Sequence, residues 1–377
     1  MAQMTGQARI YAAMKHEEPD RVPISPRVFA WLKATYGDGG LETQLRELPD
    51  MDVMHIVSDG TPNYIDSYPD TYDLPGVDVV QEKRREGDFV VVSRVFKTPA
   101  GTLSDCTRIP PSGREYGVSP NPVKMEHMVK TPDDLQALVY VLPQVNTQFD
   151  FVHTTQKQIG DRGVVMVCVR SGLDHHAGYA RSMQDLMVDY YDNRTFFDAL
   201  IDLFHKRSLQ QIKAALEGGV AFIFGSWYFT SLSVGWSPAI FKEAFWPRIC
   251  DHVNLTHDYG AFYDFYDDGK LNATMHMIAD AGVDVIETCT PPPIGDFDLA
   301  LAKQTIGNRV TLKGYVDLLY VVERGTPALI DHTVREAMMI AKPGGGFIIG
   351  SSDSFREATP KANIAAYFDA CKRYGIY

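Results

Sequence analysis

Short apolar runs, each stopped by acidic residues, glycine or proline, alternate along the chain with stretches whose apolar positions recur three and four residues apart. The first pattern predicts buried strands and the second predicts amphipathic helices. The clearest unit is Tyr259 to Pro293. An aromatic run from Ala261 to Tyr266 ends at Asp267-Asp268-Gly269; Leu271, Met275 and Ile278 keep helical spacing; Gly282 suits a helix C-cap. Val283 to Ile286 then forms a second strand, broken by Thr290 and three prolines. This is a strand–helix–strand crossover of the length a parallel sheet needs. Its polar residues fall at strand ends, where α/β folds bind ligands.

The same alternation runs through the rest of the chain. A helix is expected over residues 4–16, with strands at 21–25, 53–57, 164–169, 220–224, 310–312 and 347–349. Helical spacing fills gaps such as 196–216 and 328–341. With the two strands of the central unit this makes eight strand–helix units, which suggests a closed (β/α)8 barrel. One interruption stands out: runs at 89–96 and 101–108 flank Thr98-Pro99-Ala100-Gly101 and predict a β-hairpin. The expectation is therefore one barrel domain over residues 1–377, with a hairpin insertion at about 87–125 that includes a proline-rich loop at 110–122.

Composition narrows the function. A net charge of −12 argues against nucleic acid or an acidic membrane as partner. No run has the apolar length of a membrane span, and the first residues lack a signal-peptide core. The five cysteines are scattered and form no CxxC pair, which points to a reducing, cytoplasmic setting.

Several segments, in their order and spacing, carry a resemblance: ARIYAAMKHEEPDRVPI, FKTPAGTL, VKTPDDLQAL, GWSPAIFKEAFWPRI, AGVDVIETCTPPPIGD and GGGFIIGSSDSFREATPKANIAAY. Together they resemble the uroporphyrinogen decarboxylase superfamily, and within it the cobamide-dependent methyltransferases. The resemblance implies a distorted (β/α)8 barrel with a β-hairpin insertion. It also implies transfer of a methyl group to the cobalt of a corrinoid (cobalamin-type) cofactor carried by a partner protein, and it leaves room for a homodimer. Thiol-methylating members hold zinc with a His-x-Cys-Gly element and a later cysteine. Here those positions align with Tyr266-Asp267-Asp268-Gly269 and with the neighbourhood of Ser351 to Asp353. The thiolate-rich site is thus absent, and Asp268, Glu287, Cys289 and Asp353 are the candidate zinc ligands at strand ends. The plainer alternative is that these acids cap helices or form ion pairs and that Cys289 packs.

Two further clusters follow strands. After the third, Arg170, His175, His176 and Tyr179 offer a cation, two general acid–base candidates and a phenol. After the fourth, Trp227 and Tyr228 could wall a flat ligand, with Tyr266 nearby in the strand order, or could pack beneath loops. Catalysis is expected from His175, His176 and Asp268, and substrate binding from Arg170, Tyr179, Trp227, Tyr228 and Tyr266. The reading is a methyltransferase acting on a small O-methyl substrate, a methoxyaromatic, as an O-demethylase component. The alternatives are a porphyrinogen-type decarboxylase, disfavoured because the first strand offers Arg27 alone, and a metal-free corrinoid- or ligand-binding homologue.

Overall fold

The computed structural model describes residues 3–111 and 120–377, the side chain of His175 excepted. In chain order the strands are β1 (Val53–Ser58), β2 (Asp78–Glu86), β3 (Phe89–Thr98), β4 (Gly101–Ile109), β5 (Val123–Glu126) and β6 (Gly163–Arg170). They continue as β7 (Phe222–Ser226), β8 (Phe262–Tyr266), β9 (Val285–Thr288), β10 (Thr311–Val316) and β11 (Phe347–Ser351). The chain divides into two compact units, one of Met1–Ser58, Gln148–Val169 and Ala215–Tyr377, the other of Asp59–Thr147 and Arg170–Ala214.

The first unit is built on a curled seven-stranded sheet in the order β1-β6-β7-β8-β9-β10-β11. The pairings β1–β6, β7–β8, β8–β9, β9–β10 and β10–β11 are parallel. Both faces of such a sheet are covered, so its strands read as continuous apolar runs; every residue of β7, β9 and β11 is buried. The eighth strand expected at 21–25 does not form as a strand. Its middle makes one parallel bridge, Ile24 to Ile349, in which the Ser25 N–H donates to the Ile349 carbonyl at 2.8 Å. Pro23 and Pro26 lack the N–H groups that would continue the ladder.

Inward-facing residues of the sheet fall into layers. Met54, Val164, Phe222, Val285 and Ile348, all near the beginnings of their strands, pack in one apolar cluster with Ile10, Ala13 and Met14. Those last three lie on one side of the helix Gly6–Met14, whose N-cap Thr5 accepts from the Ala8 N–H. The helix therefore seals the end of the sheet where the strands start. Two residues further along, side chains on the same face are Asp264 in β8, Glu287 in β9 and Lys313 in β10. The apolar floor thus gives way to charge on the way to the carboxyl ends.

The second unit carries a four-stranded antiparallel sheet, β2-β3-β4-β5. The expected hairpin is its centre, β3 and β4, joined at Thr98–Gly101, where Gly101 takes a φ of 141°. β2 and β5 extend it to a sheet. Residues 112–119 of the expected proline-rich loop lie outside the described residues. The sheet buries an ion triad: Asp105 accepts from Arg94 Nη2 and from Lys124 Nζ, each at 2.5 Å, with the Arg94 and Asp105 side chains fully buried. No helix of the described residues is long and apolar enough to cross a membrane.

Candidate functional site

Within the first unit, the loops after β7, β8, β9 and β11 and the segment after β10 enclose a cavity of about 290 Å³. Asp268 and Asp353 line it, with Tyr228, Leu318 and Ile294 as walls and Arg356 among its lining residues. Position follows from sequence: β8 stops at Asp267-Asp268-Gly269, where Asp267 Oδ1 accepts the Gly269 N–H at 2.8 Å. Gly269 is required there, since a Cβ would lie 2.0 Å from Ser231 Oγ.

Asp268 is held from below. The Tyr266 hydroxyl donates to Asp268 Oδ2 at 2.9 Å. Its other oxygen, Oδ1, is buried and meets no hydrogen-bond donor. Burial, then the neighbouring charge of Asp353, pushes the Asp268 carboxyl above the ordinary range; the Tyr266 hydrogen bond and Arg27 offset part of this. The net effect is a carboxyl of raised proton affinity at the cavity wall.

Beneath it sits the charged layer. The Arg27 guanidinium lies 4.0 Å from the centre of the Tyr266 ring and donates through Nε to Glu287 Oε1 at 2.9 Å. Lys313 Nζ donates to Glu287 Oε2 at 2.7 Å. Burial alone would raise the Glu287 carboxyl, but Lys313 and Arg27 bring it down to about 2. Asp264 is fully buried beside Glu287 and its oxygens meet no N–H or O–H donor. Burial and the Glu287 charge push it well above the usual carboxylate range, so Asp264 is the neutral member of the pair.

The expected zinc ligands do not assemble into a site. Among the described residues no three histidine, cysteine or acidic side chains gather as a metal would need. Both Glu287 oxygens are engaged by cations. Cys289 is fully buried, its thiol donating to the Ile286 carbonyl, and burial pushes it well above an ordinary thiol, away from the thiolate that zinc requires. Asp268 and Asp353 alone face the cavity. These residues do not fit zinc held by that set of four.

Trp227 lies on the other face of the sheet from Asp264. It is 1% exposed, stacks 6.2 Å from Phe265, and donates its indole N–H to the Tyr263 hydroxyl at 2.8 Å. The cavity wall expected of it belongs to the next residue, Tyr228. Tyr266 supports Asp268 from beneath.

Arg170, His176 and Tyr179 belong to the second unit. Arg170, expected to bind substrate, is ion-paired with Asp66 through Nη1. His176 is buried and stacks on Phe204 at 5.3 Å, and the Tyr179 carbonyl lies 3.0 Å from His127 Nδ1. The side chain of His175 lies outside those described. Sequence reasoning missed Asp264, Lys313 and Arg356. The first two carried a signal, an ionisable residue inside a strand on the parity of its inward apolar neighbours.

Comparison with known proteins accords with this architecture. The profile of the family described as uroporphyrinogen decarboxylase (URO-D) matches residues 112–374. A methylated-thiol–coenzyme M methyltransferase of Methanosarcina mazei is 27% identical over 108 residues, which is 29% of this chain and 27% of that protein. The match thus spans little more than a quarter of that relative. A solved methyltransferase structure from Methanosarcina mazei superposes with a TM-score of 0.66 at 15% identity, covering 98% of this chain and 99% of its own. The layered parallel sheet and a family match running through every strand from β6 to β11 lead to one conclusion: the chain belongs to the uroporphyrinogen decarboxylase family.

Proposed function

We propose that the protein is a methyltransferase that takes a methyl group from a small O-methyl compound, a methoxyaromatic, and passes it to a corrinoid carried by a partner protein. The observation that carries this reading is Asp268: an acid with a raised proton affinity, one oxygen fixed by Tyr266 and the other buried without a partner, on the wall of the cavity. An ether's difficulty is its leaving oxygen. A positioned proton donor takes up the charge that develops there as the bond to the methyl carbon breaks. Asp268 suits that role: Tyr266 holds its Oδ2, and its Oδ1 has no hydrogen-bond partner within the protein. After transfer the proton resides on the product hydroxyl, and Asp268 regains one from solvent.

Low-valent cobalt of the corrinoid supplies the nucleophile that receives the methyl group. At about 290 Å³ the cavity admits a single ring but no corrin macrocycle. The macrocycle would rest at the mouth, where Ile294 is 48% exposed beside Leu319. The same size weighs against a porphyrinogen substrate. So does the lining, which holds one arginine and two acidic residues where a tetrapyrrole with acidic arms would need several cations.

The test is a methyl-transfer assay with methoxyaromatic donors and reduced corrinoid, with and without a cognate carrier protein, for wild type and Asp268→Asn. Corrinoid-dependent demethylation that falls about 100- to 10,000-fold in the variant is expected for loss of a general acid. Demethylation that needs no corrinoid, or decarboxylation of the donor, would overturn the reading.

A further inference from the structure

A second cavity of about 290 Å³ lies within the first unit and shares no lining residue with the candidate site. Three helices and the turn after one of them build it: Phe29–Tyr36, Leu41–Glu47 with the residues up to Asp50, and Lys361–Gly375. The last helix turns one face to it, since Ile364, Phe368 and Lys372 follow at four-residue steps. Trp31, Leu48, Ile364 and Phe368 are all buried and make an apolar floor. Tyr36, 38% exposed, stands as a wall, its ring nearly perpendicular to that of Trp31 with 5.8 Å between centres.

The charges at its rim are spent on one another. Lys372 Nζ holds Asp50 at 2.8 Å and Asp369 at 3.3 Å, and Arg46 holds Glu47 at 2.7 Å. Lys361 Nζ rests 4.7 Å from the centre of the Tyr36 ring. An anionic ligand would meet three carboxylates, and a cationic one would compete with Lys361 for the ring. What remains is room for one uncharged ring, with aromatic faces and edges to receive it and rim oxygens for a hydroxyl. The floor is also tied to the candidate site. Trp31 donates its backbone N–H to the Phe355 carbonyl at 3.0 Å and its indole N–H to the Thr359 carbonyl at 3.1 Å. The Phe355 N–H in turn donates to the Arg27 carbonyl at 2.8 Å. The loop so held carries Asp353 and Arg356, which line the other cavity.

We propose that this cavity is a second binding site, for an uncharged single-ring aromatic molecule, and that its occupant steadies the loop carrying Asp353 and Arg356. The site does not rest on the methyl-transfer reading.

NMR titration of the full chain tests this through the indole N–H of Trp31, one of four tryptophans, identified as the signal missing from Trp31→Phe. The probes are phenol, uncharged at neutral pH, then cyclohexanol, benzoate and benzylammonium. Phenol should shift the Trp31 signal saturably. Cyclohexanol should bind more weakly, and the two ions at least about 10-fold more weakly. Tyr36→Ala should weaken phenol about 2- to 10-fold, as loss of one aromatic contact does. Ala365→Leu, at an exposed lining position, should fill the cavity and abolish the shift. Urea midpoints near wild type check that both variants fold. Amide hydrogen exchange at Trp31 and Phe355 should slow when phenol is bound. No saturable shift with phenol, a shift that survives Ala365→Leu, or an equal response to the ions would overturn the site. Unchanged exchange with phenol bound would overturn its hold on the loop. A failed methyl-transfer assay beside saturable phenol binding would remove the proposed reaction and keep this site.

Discussion

Replacing Lys313 by Met tests the charged layer directly. The methionine keeps most of the lysine's apolar stem, so the change removes chiefly the ammonium that meets Glu287 Oε2 at 2.7 Å. Both side chains are 2% exposed, so solvent cannot replace the lost partner. Breaking a buried ion pair by removing one member costs about 3–5 kcal/mol. Arg27 still holds the other oxygen, and the retained stem limits packing loss, which places the expected cost near the lower bound, about 3 kcal/mol at neutral pH. The cost should also depend on pH in a definite direction. Glu287 is lowered from 4.5 to about 2, so it contributes stability that is complete above its unfolded value and disappears as pH falls from 4.5 through about 2. In Lys313→Met most of that contribution is gone, and the gap between variant and wild type should narrow as the medium is acidified through that window. Equilibrium urea unfolding, followed by circular dichroism and by fluorescence, gives the midpoints. Combining Lys313→Met with Glu287→Gln should cost less than the two singles together by about 2 kcal/mol, as expected of residues in one network. A loss under about 0.5 kcal/mol, typical of an unremarkable surface site, or strict additivity, would refute the reasoning.

Other expectations follow from the same geometry. Asp264→Asn removes a carboxyl that folding keeps protonated above its ordinary 3.8, so the variant should gain stability over wild type as pH rises from that value, measured by urea midpoints across pH. Trp227→Ala should cost about 3–5 kcal/mol of stability, as for other large buried aromatics, read as a lowered urea midpoint. Tyr266→Phe deletes the hydrogen bond that lowers the Asp268 carboxyl, so the alkaline limb of the methyl-transfer pH profile should move to higher pH. An unmoved limb would remove Asp268 as the titrating acid.

What could be foreseen from the residue pattern was whatever depends on local period. The crossover read over 259–293 reappears as β8, a helix at Met275–Asp280 and β9, with Gly282 at a φ of 86° just past the helix. The strand at 21–25 was over-read because apolar content does not report missing ladder donors; Pro23 and Pro26 decide the matter. The four-stranded sheet was under-read as a hairpin because β2, rich in charge at QEKRRE, alternates weakly. At the site, Asp268 was found because it follows a strand. Trp227 was misplaced because β7 ends at Ser226 and its ring packs back against Phe265 and Tyr263, while Tyr228, at the start of the turn that follows, lines the cavity. The commitments of Glu287 and Cys289 were hidden because they depend on Arg27, Lys313 and a backbone carbonyl brought in by folding.

The packing around Trp227 also leaves a mark that could be read without any substrate. The Tyr263 hydroxyl receives the Trp227 indole N–H at 2.8 Å and lies 3.0 Å from His252 Nδ1, with which it shares one hydrogen. Gly225 keeps that hydroxyl in place, since a Cβ there would come within 1.9 Å of it. Which of the two groups carries that hydrogen is what fixes the His252 tautomer. Nitrogen chemical shifts of one imidazole would then report whether the outer side of β7 and β8 is assembled as described, independently of which donor the cavity accepts.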